Sequence, residues 1–479
     1  MSSELSRMIE RHGERYRWLV TATAMVGSLS MSLSSTIINV ALPHIMVDFH
    51  VGHTDAQWLS TAFLSCMTMG MLINAWCVGA FGVKYTYRGA LLVFLLASAA
   101  GGIAPSFGSL IAVRAVQGLT AGLVQPLALL IIYRVFPVEQ RGRSVGLYGM
   151  GVILAPTFGP VLGGVLVDLI HWRAVFLVVV PSSFVALFMG SRFLFDGREE
   201  GRRRRLDLPG VILLVGWLPT LLWALARGPH RGWDDGAVLS ALAIGALAAV
   251  LFVARELTCR DPLLALSVFR RPGFKGAFGL AMLTGGGLFS SVYLLPLLMQ
   301  TVLDYSPTEA GLMLMPAGLA MGLIYPVVGR LADRYSVASM ASVGLVGFCL
   351  AALALSVCAG GASFFWLAFW AVMTRVACAF LMPPVIVAAL SLLREDQINQ
   401  GAGVISFARQ LGGAFGINLV AVVLQENSAL FPFGQGAGAA QGYRDAFLLL
   451  AMLFATGVIP LYNLARGKRI LAGEQVVKA

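Results

Sequence analysis

Apolar residues in this 479-residue chain gather into long runs separated by short charged segments. A membrane-spanning helix needs about 20 predominantly apolar residues. Fourteen runs approach or exceed that length: Trp18–Leu42, Trp58–Gly79, Gly89–Pro105, Leu110–Val135, Val145–Val167, Val175–Leu194, Leu208–Leu225, Gly236–Ala254, Phe278–Leu298, Ala310–Val328, Val337–Cys358, Phe364–Leu390, Ala402–Leu424 and Ala446–Leu464. The first run follows a basic stretch and lacks a small-residue cleavage pattern, so it reads as a retained span and not a removed leader. The pattern predicts an all-α polytopic membrane protein with fourteen transmembrane helices.

Composition agrees with the pattern. The chain is 58% hydrophobic and 12% charged, where soluble domains run near ~25% charged. So few charges cannot cover a water-exposed surface, which excludes a soluble enzyme. The 54 glycines suit close helix approach in lipid. The net charge of +11 would suggest nucleic acid in a soluble protein. Here its distribution gives another meaning. Of the 34 Lys and Arg, 27 fall on one set of alternating segments and 4 on the other, with Arg114, Arg375 and Arg409 inside spans. Positive charge collects on the cytoplasmic side, so both termini are expected there. The run Arg202–Arg205 reads first as an orientation signal and second as a headgroup contact. The six cysteines are scattered without a CxxC, so neither a disulfide framework nor a zinc site is implied.

A weak repeat organises the spans. Gly79-Ala-Phe-Gly-Val-Lys84 closes the second span, and Gly329-Arg-Leu-Ala-Asp333-Arg334 closes the tenth. Pairing these spans gives two six-helix halves, residues 18–195 and 274–465, with a two-helix insert at 208–254: a 6+2+6 arrangement suited to alternating access. Asp333 at such a turn is a candidate to cap the next helix or pair with a neighbouring Arg, latching a cytoplasmic gate formed by Gly329, Asp333 and Arg334. The first copy has Val83-Lys84 where the second has Asp333-Arg334, so its latch is expected to be weaker.

Several motifs stand at matching places along the chain. They are Thr36-Ile-Ile-Asn39-Val-Ala-Leu-Pro43, Arg114-Ala-Val-Gln117-Gly118, Gly151-Val-Ile-Leu-Ala-Pro156-Thr-Phe-Gly159-Pro160-Val-Leu-Gly163-Gly164, Trp172-Arg173, and Ser306-Pro307 with Ala310-Gly311-Leu312 and Pro316. With these the chain resembles a major facilitator superfamily transporter, and more narrowly the fourteen-span EmrB/QacA-like drug:proton antiporters. The resemblance implies a secondary active exporter of amphipathic compounds, proton-coupled, with no cofactor. Some relatives act with a periplasmic adaptor and an outer-membrane channel, and the short loops here offer no docking domain for either. The fifth-span motif also has a physical reading. Gly159 and Gly163 share a face, Gly164 widens it, and Pro156 and Pro160 loosen the hydrogen-bond ladder. Together they form a candidate seal against another helix.

The embedded arginines are the strongest candidate chemistry, because an Arg at mid-membrane requires a wet cavity or a partner. The candidate substrate and coupling residues are Ser34, Asn39, Trp58, Arg114, Gln117, Gln125, Arg375 and Arg409. No carboxylate lies centrally in any predicted span. The family resemblance implies an Asp two residues before Thr36, a natural proton site; this chain has Ser34. Embedded positive charge without an embedded acid favours anionic or weakly acidic amphiphiles. Trp58, Met67, Met69, Met71, Phe289, Tyr293, Met313 and Met315 offer adaptable apolar lining, although packing roles compete for each.

The segment after the first span holds His44, Asp48, His50, His53 and Asp55. It reads as a polar periplasmic loop, with metal-ligand spacing and pH sensing as lesser readings. Neither HExxH, GxSxG nor GxxxxGK[ST] occurs, which argues against an integral membrane enzyme or an ATP-driven pump. Export of one dedicated metabolite, fatty acid or lipid is the competing transport reading.

Overall fold

The computed structural model describes residues 15–56, 58–196, 206–259, 262–264, 266–430 and 437–478, together with 8, 10 and 13. Arg202–Arg205 lies outside the described residues. All regular structure among the described residues is helical. The long helices are α1 (Arg15–Phe49), α2 (Trp58–Phe81), α3 (Val83–Gly102), α4 (Phe107–Val135), α5 (Arg141–Leu169), α6 (Val179–Phe193), α7 (Leu208–Arg231), α8 (Gly236–Thr258), α9 (Phe274–Thr301), α10 (Pro307–Arg334), α11 (Val337–Cys358), α12 (Phe364–Ser391), α13 (Ile398–Leu430), α14 (Ala437–Thr456) and α15 (Val458–Lys478).

Thirteen segments among the described residues are long and apolar enough to cross a membrane, with α14 and α15 forming one of them. The fourteenth expected span falls in α3. Its first two turns carry Lys84, Thr86 and Arg88, which dilute an otherwise apolar helix.

The helix ends follow local chemistry. Ser106 caps α4, its hydroxyl accepting from the Ser109 amide at 3.3 Å. Ser306 caps α10, with Glu309 accepting from the Ser306 amide at 2.8 Å and Pro307 at the first turn. These side chains satisfy amides that the helix itself leaves unpaired.

Three expectations are corrected. His44 and Asp48 are not in a loop, because α1 runs on to Phe49, through Pro43. His50, at φ 52, ends it. Hydropathy marks the membrane boundary and not the end of the hydrogen-bond ladder. The Gly329–Arg334 segment is likewise the last turns of α10 and not a turn between helices. The cap of α11 is Ser336, whose hydroxyl accepts from the Ser339 amide at 3.1 Å, so Asp333 is not the cap. In the first copy, Gly82 at φ 84 makes the break, a conformation that glycine adopts without penalty.

The chain divides into two compact units: residues 1–208 with 259–264 and 398–404, and residues 209–258 with 265–397 and 405–479. In the first unit α4 packs most extensively against α2 and also against α3 and α1, while α1 packs on α5 and α6. The unit includes the opening turns of α13, where Asn74 Nδ2 donates to Asn399 Oδ1 at 3.2 Å and Asn399 Nδ2 donates to the Ala75 carbonyl at 3.3 Å. In the second unit α12 packs on α11, α10 and α9. There the Trp217 ring of α7 lies 6.2 Å from Phe252 of α8 and 6.4 Å from Phe407 of α13.

Candidate functional site

Arg114 is the centre of the site in the first unit. It lies on α4 and is 1% exposed. Its Nε donates to the Leu59 carbonyl at 3.1 Å, and its Nη1 to the Ser34 carbonyl at 3.1 Å, to Ser34 Oγ at 3.2 Å and to Gln117 Oε1 at 3.1 Å. The Phe63 ring of α2 lies 4.2 Å from the guanidinium carbon, a cation–π distance. Gln117 passes the polar chain on, donating through Nε2 to Ser98 Oγ at 2.9 Å on α3, and Ser98 donates to the Phe94 carbonyl at 2.7 Å.

Three positions of the Arg114–Gly118 motif therefore have separate tasks. Arg114 ties α4 to α1 and α2. Gln117, one turn on, joins Arg114 to α3. Gly118 has no Cβ because the Phe63 carbonyl of α2 fills that space. That approach brings the Phe63 ring to the guanidinium. Sequence reasoning placed Ser34, Arg114 and Gln117 among the candidates, and the structure brings these three together. It did not find Leu59, Phe63 or Ser98. A carbonyl, a phenylalanine and a serine carry no distinguishing signal in an apolar chain.

The other candidates in this unit make separate contacts. Asn39 is exposed, and its Oδ1 accepts from Ser60 at 3.1 Å. Trp58 is half-buried at the start of α2. Gln125 is buried, and its carbonyl faces the Tyr148 hydroxyl at 3.5 Å, which lies 2.9 Å from Ser28 Oγ. Met67, Met69 and Met71, candidate lining residues, are buried in the packing of the unit.

The fifth-span glycines pack on α1. A Cβ on Gly151 would meet the Met25 side chain, one on Gly159 the Thr36 hydroxyl, and one on Gly163 Ile37 Cγ1 at 2.9 Å. Gly164 is looser, with Val40 Cγ1 at 4.0 Å. The close face is therefore Gly151, Gly159 and Gly163, spaced eight and four apart on one side of the helix. Pro156 and Pro160 lie within α5, which is continuous through both.

The polar C-terminal end of α1 has a defined partner. Trp172 Nε1 donates to Asp48 Oδ2 at 2.6 Å, and Arg173 Nη1 approaches the same oxygen at 3.4 Å. Trp172 is buried among Ile45, Leu59, Ala104 and Phe176. The Trp172-Arg173 motif is thus a clamp on the end of α1. No metal-binding group of three His, Cys, Asp or Glu occurs among the described residues.

In the second unit Arg375 is 6% exposed, and its Nη1 donates to the Leu288 carbonyl of α9 at 3.1 Å. Arg409 is half-buried on α13, and its backbone carbonyl occupies the space a Cβ on Gly285 would need. Met313 is buried, while Tyr293 is 38% exposed. Gly329, Asp333 and Arg334 form the end of α10.

Comparison with known proteins agrees with this architecture. The chain is 29% identical over 460 residues to the uncharacterised MFS-type transporter YcnB of Bacillus subtilis (strain 168), covering 95% of this chain and 96% of that one. It is 30% identical to the puromycin resistance protein pur8 of Streptomyces alboniger, covering 93% and 90%. The human organic anion transporter MFSD10 (TETRAN) superposes with a TM-score of 0.67 at 17% identity, covering 94% of this chain and 99% of that one. At that identity the likeness concerns the fold. The sequence model of the Major Facilitator Superfamily matches residues 24–417. With its apolar helices, its two units and this match in hand, the chain belongs to the Major Facilitator Superfamily, as a multi-pass membrane transporter and not an enzyme.

Proposed function

We propose that this transporter exports amphipathic drug-like compounds from a bacterial cytoplasm across the inner membrane, with both termini cytoplasmic. It works by alternating access of two six-helix halves, 18–195 and 274–465, around a midplane cavity, and falls in the fourteen-span EmrB/QacA-like branch. Relatives named for antibiotic resistance, such as the puromycin resistance protein, support export. Support for an anionic or weakly acidic substrate comes from one observation. Arg114 and Arg375 are buried, and the hydrogen-bond acceptors they reach among the described residues are neutral, so each is a positive charge with no carboxylate hydrogen-bonded to it. Proton coupling, if retained, runs through the substrate's own carboxyl or a carboxylate at a membrane face, since Ser34 does not titrate. Gly151, Pro156, Gly159, Pro160, Gly163 and Gly164 serve as the deformable seal, and Gly329, Asp333 and Arg334 as the cytoplasmic gate. A periplasmic adaptor with an outer-membrane channel is implied by the EmrB/QacA-like resemblance alone.

The test is a proteoliposome assay with an imposed pH gradient, a matched pair of anionic and cationic amphiphilic dyes, and a lumenal pH indicator. Preferred movement of the anionic dye is the expected outcome. Preference for the cationic dye overturns the substrate assignment, and movement of neither dye overturns export of amphiphiles.

A further inference from the structure

A guanidinium carries five N–H donors and a charge that is not lost in proteins. At Arg114 three of those donors, on Nε and Nη1, are directed at neutral oxygens of Leu59, Ser34 and Gln117. Nη2 is buried and has no acceptor among the described residues. The Phe63 ring offsets part of the charge and cannot accept both Nη2 protons in plane.

The surrounding helices offer no carboxylate to complete the pairing. From α1 to α6 the acids among the described residues are Asp48, Asp55, Glu139 and Asp168, of which Asp55, just before α2, and Glu139, between α4 and α5, are exposed. Asp48 is fourteen residues from Ser34 along α1, about 21 Å at the helical rise, and is held by Trp172 and Arg173. Asp168 is one residue from the end of α5. A buried ion with neither a counter-ion nor full hydrogen bonding is strongly disfavoured.

We infer that Arg114 binds a single small monovalent anion, chloride being the natural occupant, held by the unpartnered Nη2. The anion supplies the counter-charge that the neutral partners of the guanidinium do not. Position 34 decides this. Ser34 Oγ is 3.2 Å from Nη1, so a carboxylate on that backbone reaches the guanidinium and supplies the counter-charge from within. The inference rests on the first unit's own geometry, and with Arg114 neutralised in this way the buried charge that bears on substrate preference is Arg375 in the second unit.

The experiment uses purified full-length transporter without substrate. Thermal unfolding is followed in sodium chloride and in sodium gluconate at equal ionic strength, alongside direct chloride binding by radiotracer. Expected are a saturable rise in melting temperature with chloride and one bound chloride per chain. In Ser34→Asp, chloride binding weakens at least about tenfold, since a neighbouring opposite charge acts on that scale. Ser34→Asn keeps it. Indistinguishable melting in the two salts with no saturable chloride binding overturns the inference, as does undiminished binding in Ser34→Asp. A third arm adds laurate in gluconate buffer. Laurate stabilisation that chloride competes away supports a shared anion site, whereas stabilisation by laurate alone assigns Arg114 to a substrate carboxylate and overturns the small-anion reading. The wild-type arms stand on their own if Ser34→Asp folds poorly.

Discussion

Two glycine-lined interfaces in the first unit are built to different tolerances. Between α2 and α4, backbone meets backbone. The space for a Cβ on Gly70 is taken by the Leu119 carbonyl, on Gly118 by the Phe63 carbonyl and on Gly122 by the Met67 carbonyl. Between α1 and α5 the glycines meet side chains first: Met25 at Gly151, the Thr36 hydroxyl at Gly159, and Ile37 Cγ1 at Gly163, where the Ile37 carbonyl follows at 3.0 Å. A side chain changes rotamer; a helix backbone shifts only as a whole. Most of α4 is buried and most of α5 is not, with Phe158, Val161 and Val165 exposed along it. The lesson is a division of labour. The α2–α4 pair is a rigid frame that holds Arg114, and α5 is attached through one adjustable face.

The largest effect that would sharpen the contrast is Gly122→Ala. The new methyl has no open space and meets backbone, so the two helices must separate. A loss of about 3 kcal/mol is expected, at the upper end for overpacking, seen as poor yield and a much lower melting temperature in detergent. Near-native melting would break the claim that this interface is rigid. Gln117→Leu should follow. It removes one acceptor from a buried guanidinium and the donor to Ser98 Oγ, which keeps its own bond to the Phe94 carbonyl, at a cost of about 1–3 kcal/mol. The measurement is melting temperature, and Gln117→Glu should restore part of it by returning an acceptor.

Gly159→Ala should cost less, about 1–2 kcal/mol, because the obstacle is the Thr36 hydroxyl. The double variant with Thr36→Ala should recover most of that loss, as coupled neighbours do. Failure to recover would mean that α1 and α5 are as unyielding as α2 and α4. On the proposed reading of α5 as a seal, Gly159→Ala should also slow dye transport more than it lowers melting.

How far the sequence reveals this depends on whether a feature is local. The helices follow from apolar runs, and the helix caps at Ser106 and Ser306 lie within three residues of their partners. Helix ends beyond the membrane do not show in hydropathy, which is why α1 outruns its span by the polar segment containing His44 and Asp48. Contacts between distant segments are hidden for a stronger reason. Asp48 meets Trp172 across 124 positions and Arg114 meets Ser34 across 80. The departure at Ser34 is visible in the residues, and its consequence, an arginine among neutral oxygens, requires the fold. The glycine stripe shows the same limit. Spacing places Gly159 and Gly163 on one face, but whether each meets backbone, side chain or open space depends on a helix more than a hundred residues earlier.

Gly164 makes the finest test. The sequence groups it with Gly159 and Gly163, yet it stands one residue, about 100° of helix, beyond the contact face, and its nearest obstacle is Val40 Cγ1 at 4.0 Å. That is ordinary van der Waals separation, so Gly164→Ala fits without displacement. Alanine also restricts the unfolded backbone more than glycine does, which favours the folded helix by up to about 1 kcal/mol. The expected result is melting equal to or slightly above wild type, with dye transport unchanged. A clear loss of transport at unchanged stability would show that Val40 draws closer to Gly164 in another state of the cycle. The adjustable face of α5 would then extend one residue further than its packing on α1 indicates here.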